Sequence, residues 1–196
     1  NGNATVTCTI SLATPISGDT VSASGTCVAA DKNVGTGKNV SCSSISLSGT
    51  DASNYSLSST SASKNSAVNI TAKSLTPSVN TCTNKTYDGT TTVNCTISVA
   101  TIVVGDTVSA SGTCSAADKN VGTGKNVSCS SISLSGTDAS NYSLSSTSAS
   151  KTSAVNITAK AVTITAKNQT ITYGNSIATG TSQVTVGTLG TGDSLT

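Results

Sequence analysis

Residues 1–196 carry ten basic and eight acidic side chains, no His, and a formal net charge of +2. Every basic residue is Lys and no basic cluster forms, which excludes the electrostatic footprint of a nucleic-acid binder. No apolar run approaches the roughly 18 residues that a membrane-spanning helix needs.

An internal repeat organises the chain. Gly18–Lys64 recurs as Gly105–Lys151 with one difference, Val28 against Ser115, a displacement of 87 residues. In that register NGNATVTCTI at the start matches DGTTTVNCTI from Asp88. The first copy therefore lacks a counterpart of Ser74–Tyr87, and the chain is expected to be a piece of a longer one. The expected segments are 1–73, a first repeat without its N-terminal strand; 74–160, a complete second repeat; and 161–196, the start of a third, incomplete unit.

Within a repeat the apolar residues alternate. Val6, Cys8, Ile10 and Leu12 share one parity; Val21, Ala23, Gly25 and Cys27 follow, then Val40 and Cys42. Ile45 and Leu47 continue in shifted parity, which predicts a bulge at Ser43–Ser44. Tyr55 with Leu57, and Val68 with Ile70 and Ala72, predict two further strands. Period two with β-branched residues means half-buried antiparallel strands. SGD at 17–19, DKNVGTGKN at 31–39, SGTDASN at 48–54 and YDG at 87–89 supply turns. About seven short strands per unit predict small antiparallel β-sandwiches of immunoglobulin-like type. No long Gly/Ser linker separates the units at 68–79, so the tandem domains are expected to form a rod.

There is no Phe, Trp or Met, and only four Tyr. The core must be built from Val, Ile, Leu, Ala and Cys, and a domain this small then needs covalent staples. The seven cysteines fit that need. Cys27 and Cys42 flank the same turn as Cys114 and Cys129, and Cys82 and Cys95 flank the YDG turn. These spacings propose disulfides Cys27–Cys42, Cys82–Cys95 and Cys114–Cys129, leaving Cys8 unpaired in this stretch. Zinc sites favour close Cys pairs, often with His. The spacings here are wide and His is absent, so no metal is expected.

Without His, nucleophilic triads and Cys–His pairs are excluded. The acids are all Asp, at 19, 31, 51, 88, 106, 118, 138 and 193. Each lies in a turn-like stretch, where Asp caps the turn through its own backbone. Asp31 and Lys38 are placed to pair across their turn. Tyr55 and Tyr142, in DASNYSL, are expected as core aromatics whose hydroxyls reach backbone. VGTGK at 34–38 lacks the full spacing of a phosphate loop and reads as a hairpin turn. No enzyme activity and no cofactor are expected.

NKTYDGTTT at 84–92, GDTVSASGTCSAADKNVGTGKNVSCSSISLSGTDASNYSL at 105–144 and VNITAK at 155–160 resemble the YDG repeat of large bacterial surface proteins. AVTITAKNQTITYGNS at 161–176, followed by GTGDSLT at 190–196, resembles the start of the mostly-β, glycine-rich MBG repeat that accompanies YDG in adhesin-like chains. The first copy departs from the pattern: NGN stands at 1–3, opposite Asp88–Thr90, and the tyrosine of the motif is missing. The resemblance implies tandem β domains in secreted or cell-surface-attached proteins and implies no catalytic residues. The expected role is a structural segment of an extracellular stalk or filament, stabilised by disulfides within each domain. The alternative is an adhesion module binding glycan or host protein weakly and multivalently. Expected partners are neighbouring repeats of the same chain and laterally associated copies; no membrane span and no nucleic acid enter this reading.

Overall fold

Strands of alternating Val, Ile, Cys and Ser make up nearly half of the computed structural model, which describes residues 2–194. Asn1, Leu195 and Thr196, the outermost positions of the first and third segments, lie outside the described residues. Among those described, the regular elements are strands and single 3-10 turns, so the protein is all-β, in several sheets.

The first repeat contributes β1 (Thr5–Val6), β2 (Ser22–Ala29), β3 (Gly35–Ser48) and β4 (Ala62–Ile70), paired antiparallel in that order. β5 (Lys73–Leu75) follows. The second repeat adds β6 (Pro77–Cys82), β7 (Lys85–Thr86), β8 (Thr92–Val93) and β9 (Cys95–Val99). It continues with β10 (Ser109–Ala116), β11 (Gly122–Ser135), β12 (Tyr142–Leu144) and β13 (Ala149–Thr158). Its sheet runs β6-β9-β10-β11-β13-β7, with β8 beside β10. β14 (Ile164–Ala166) and β15 (Val184–Val186) form a small antiparallel pair.

The shifted parity in the third apolar run has a structural cause. Ser24 faces Ser46 but Thr26 faces Ser43, so two residues of β3 stand against one of β2. Ser44 takes φ 53° at that point, and Ser131 takes φ 52° in the second copy. The extra residue turns Ile45 back to the face that Val40 and Cys42 bury. Gly25 lies opposite the bulge, where a Cβ would meet the Ser43 carbonyl oxygen at 2.8 Å. A side chain there would prevent the bulge from closing.

The strand expected at Tyr55–Leu57 is absent, although its counterpart exists as β12. The reason is pairing. β12 runs parallel to β5, Tyr142 opposite Lys73 and Leu144 opposite Leu75. Local sequence is the same in both copies, so it is the presence of β5 that turns this segment into a strand.

The fold divides into two compact units that do not coincide with the repeats. One holds the described residues up to Leu75 together with Thr101–Ser109 and Leu134–Leu144. The other holds Thr76–Ala100, Ala110–Ser133 and the described residues from Ser145. In the first, Cys27, Val40, Cys42 and Ile45 form a core against which Val6, Ile10, Ala23, Leu57 and Val68 pack. Leu75 and Tyr142 are buried in the same unit. In the second, Val127, Cys129, Val155 and Ile157 are buried almost completely. There β6 lies against β13 and β7 pairs with its end. The equivalent Val68 and Ile70 of the first repeat are only half-buried, because no strands equivalent to β6 and β7 cover them among the described residues.

Candidate functional site: a recurrent joint between repeats

The residues with the most specific side-chain geometry lie at the ends of the strands, where one repeat meets loops of the next. Asp106 sits after a turn closed by its own N–H donating to the Val103 carbonyl at 3.0 Å. Tyr142, delivered by β12, donates its hydroxyl proton to Asp106 Oδ2 at 2.8 Å and accepts the Val103 N–H at 2.9 Å. The tyrosine thus ties two loops of the second repeat together. Onto this pair comes Lys32, from the ADKNV turn of the first repeat, donating to Asp106 Oδ1 at 2.8 Å. The Asp106 side chain is only 6 % exposed while Lys32 keeps 39 %, so the contact is sheltered on its acidic side alone.

Further bonds fix the same turn. Val34 N–H donates to Asn141 Oδ1 at 2.9 Å, and Asn141 Nδ2 donates to Asn33 Oδ1 at 3.1 Å. Lys73, on β5, donates to the Thr101 carbonyl at 2.6 Å. Ordered backbone hydrogen bonds from β5 to β12 complete the joint. The ADKNV turn is itself rigid: Asp31 accepts from Asn33 N–H at 2.7 Å and from Lys38 Nζ at 2.8 and 2.9 Å.

The arrangement recurs at the period of the sequence. Lys119 donates to Asp193 Oδ1 at 3.2 Å, and both this pair and Lys32–Asp106 span 74 residues. Asp193 N–H closes a turn on the Gly190 carbonyl, as Asp106 does on Val103 and Asp19 does on Ile16. Lys160, the counterpart of Lys73, donates to the Leu189 carbonyl at 3.2 Å. Tyr55 repeats the tyrosine's part, donating to Asp19 Oδ2 at 2.6 Å and accepting Ile16 N–H at 2.9 Å. From the sequence, Asp106 and Asp193 read as turn residues and Lys32 as part of the DKNVGTGKN turn, with no sign that they pair. The recurrent 74-residue spacing was present in the sequence, but periodicity marks equivalence rather than contact.

All eight aspartates are committed to such work. Besides those already described, Asp51 and Asp138 accept from the N–H of Thr20 and Thr107 at 2.8 Å. Asp118 accepts from Lys125 at 2.7 Å, and Asp88 from Thr90 N–H at 2.9 Å.

Three disulfides tie neighbouring strands: Cys27–Cys42, Cys82–Cys95 and Cys114–Cys129, each with Cα atoms 4.0 Å apart. Cys27 stands directly opposite Cys42, and Cys82 opposite Cys95. Cys8 is exposed and outside these bonds. Its sulfur lies within 4.8 Å of those of Cys27 and Cys42, as the Cys95 sulfur does to those of Cys114 and Cys129. A metal would require thiolates, and five of these six sulfurs are spent in disulfides.

The joint has a pH signature. The Lys32 ammonium, and then the Tyr142 hydroxyl, hold the Asp106 carboxyl below the usual carboxylate range, and Asp106 raises Lys32 in turn. A depressed Asp stabilises the fold above its unfolded pKa and loses that contribution as pH falls through the folded value. A raised Lys stabilises below its unfolded pKa and loses that contribution as pH climbs through the folded value. The joint should therefore hold across neutral pH and weaken below about pH 4. Thermal unfolding of wild type and Asp106→Asn from about pH 2 to pH 7 should show a shallower acid limb in the variant. Identical limbs would exclude Asp106 as a contributor.

The family model described as the YDG domain matches residues 1–62 and 71–150. No curated protein and no solved structure matches the chain.

Proposed function

The chain belongs to the YDG-domain family, and on that premise we propose that it is a structural repeat segment of an extracellular stalk or filament of a bacterial surface protein. The observation that carries this reading is the joint that recurs at the sequence period, with Lys32 on Asp106 and Lys119 on Asp193. A joint specified by identical residues in each repeat adds length without adding a new surface. Each repeat is then a small immunoglobulin-like sandwich, the array is a rod, and the last segment is the start of an MBG-like unit. Disulfides within the repeats suit an oxidising exterior. The segment carries no catalysis; its acids hold loops and joints. Polar Ser and Thr faces with few charges allow lateral association of copies through sheet edges.

Electron imaging of the native assembly tests this. A thin beaded rod with one bead per repeat is the expected image, and a compact globule would overturn the reading. The adhesion alternative would gain ground if a glycan array bound the two-repeat chain. The ADKNV turn is a poor candidate for that work, because Lys32, Asn33 and Val34 are already engaged at the joint.

A further inference from the structure

Each residue of the YDG tripeptide has a distinct physical task, and together the tasks describe a socket. Asp88 shapes the loop from within. Its Oδ1 accepts from the N–H and the hydroxyl of Thr90, both at 2.9 Å, and pairs with Lys85 Nζ at 2.7 Å. Lys85, then Thr90, hold this carboxyl down to about 2, so the loop keeps its shape throughout the neutral range. Lys85 is anchored further by the carbonyls of Thr90 and Thr92, both at 2.9 Å.

Gly89 and Tyr87 face outward from that loop onto the segment 190–193. Gly89 takes φ +83°, and a Cβ there would fall 2.4 Å from both the N and the O of Thr191 and 3.0 Å from the Gly190 carbonyl carbon. Only a residue without a side chain lets the two main chains approach so closely. The approach is used: Thr191 N–H donates to the Asp88 carbonyl at 2.8 Å. Tyr87 closes the other side. Its hydroxyl is the main influence that holds the Asp193 carboxyl below the usual range. It also engages Lys119, whose Nζ stands 5.9 Å from the ring centroid. Gly190 is required in turn, since a Cβ there would lie 2.7 Å from Tyr87 Cε1.

We propose that Tyr87-Asp88-Gly89 is the socket with which a YDG unit takes up the Gly190–Asp193 turn of the unit that follows it. The occupant is this chain's own third segment. The inference deepens the stalk reading by assigning the motif to the joint, yet its test does not depend on the shape of the assembly. Gly2 occupies the same place in the first repeat: it has φ +73°, and a Cβ would lie 2.4 Å from Val103 Cγ1. Tyr173, in the TYGN of the third segment, is fully exposed at 104 %, whereas Tyr87 is half-buried.

Amide hydrogen exchange on the full chain tests the socket at the Thr191 N–H. In wild type this amide should be protected. Gly89→Ala should speed its exchange by at least about tenfold, while amides of β11 keep their protection. Gly174→Ala is the control, because Gly174 also has positive φ (+93°) but meets nothing within 4 Å; it should leave Thr191 unchanged. Tyr87→Phe keeps the ring and the loop and removes only the hydroxyl. It should lower the yield of a zero-length carbodiimide cross-link between Lys119 and Asp193, read by peptide mapping. An unprotected Thr191 amide in wild type, or equal effects of the two glycine variants, would overturn the proposal. A rod-shaped assembly with an unprotected Thr191 would leave the stalk reading standing without the socket.

Discussion

Replacing Cys114 and Cys129 together by alanine is expected to lower the unfolding free energy by about 3 kcal/mol. The disulfide closes a separation of 15 residues, and loops of that size give about this figure from chain entropy alone. The two side chains are also 2 % and 1 % exposed, so their loss removes packed volume from the centre of the sheet. A core without Phe, Trp or Met has little to compensate with. Roughly 3 kcal/mol is a large share of the 5–15 kcal/mol that holds an ordinary domain. Urea unfolding of the double variant against wild type measures it, and a difference below about 1 kcal/mol would refute the assignment of these bonds as the principal staples. Cys8 should be alkylated first, since an exposed thiol so close to the Cys27–Cys42 sulfurs invites thiol–disulfide exchange during unfolding.

The features legible in the sequence were those with a local cause. Alternation of Val, Cys and Ile gave the strands, and the parity break at Ser43–Ser44 gave the bulge, because both follow from period-two geometry. The DASNYSL tyrosines could be read as reaching backbone, and Tyr142 does reach Val103 N–H. The features that were not legible depend on the neighbouring repeat. The sequence DASNYSL is the same in both copies, yet only the copy beside β5 becomes a strand. Lys32 looked like a turn residue because its partner is 74 positions away. Asp88 and Gly89 looked like an ordinary hairpin signal; that Gly89 must also admit Thr191 is information held by a different unit.

Gly136→Ala should be the most damaging single substitution at the Lys32–Asp106 joint, and a neighbouring glycine shows why. Gly105 and Gly136 both have positive φ, +93° and +118°. At Gly105 an added Cβ meets nothing within 4 Å, so Gly105→Ala suffers only the conformational penalty, about 1–3 kcal/mol. At Gly136 the same Cβ would lie 2.3 Å from the Thr107 carbonyl oxygen and 3.0 Å from its carbon. That carbonyl accepts Asp138 N–H at 3.3 Å, while Thr107 N–H donates to Asp138 Oδ2 at 2.8 Å. The clash therefore falls on a reciprocal bridge between the Thr101–Ser109 and Leu134–Leu144 segments. The first segment carries Asp106 and the second carries Asn141 and Tyr142, the groups that receive the ADKNV turn. Forcing them apart should cost about 2 kcal/mol more than Gly105→Ala and should also reduce carbodiimide cross-linking of Lys32 to Asp106. Because both variants share the positive-φ penalty, their difference isolates the close approach. Equal destabilisation by the two, with cross-linking intact, would mean that the bridge does not position the joint and that Lys32 finds Asp106 without it.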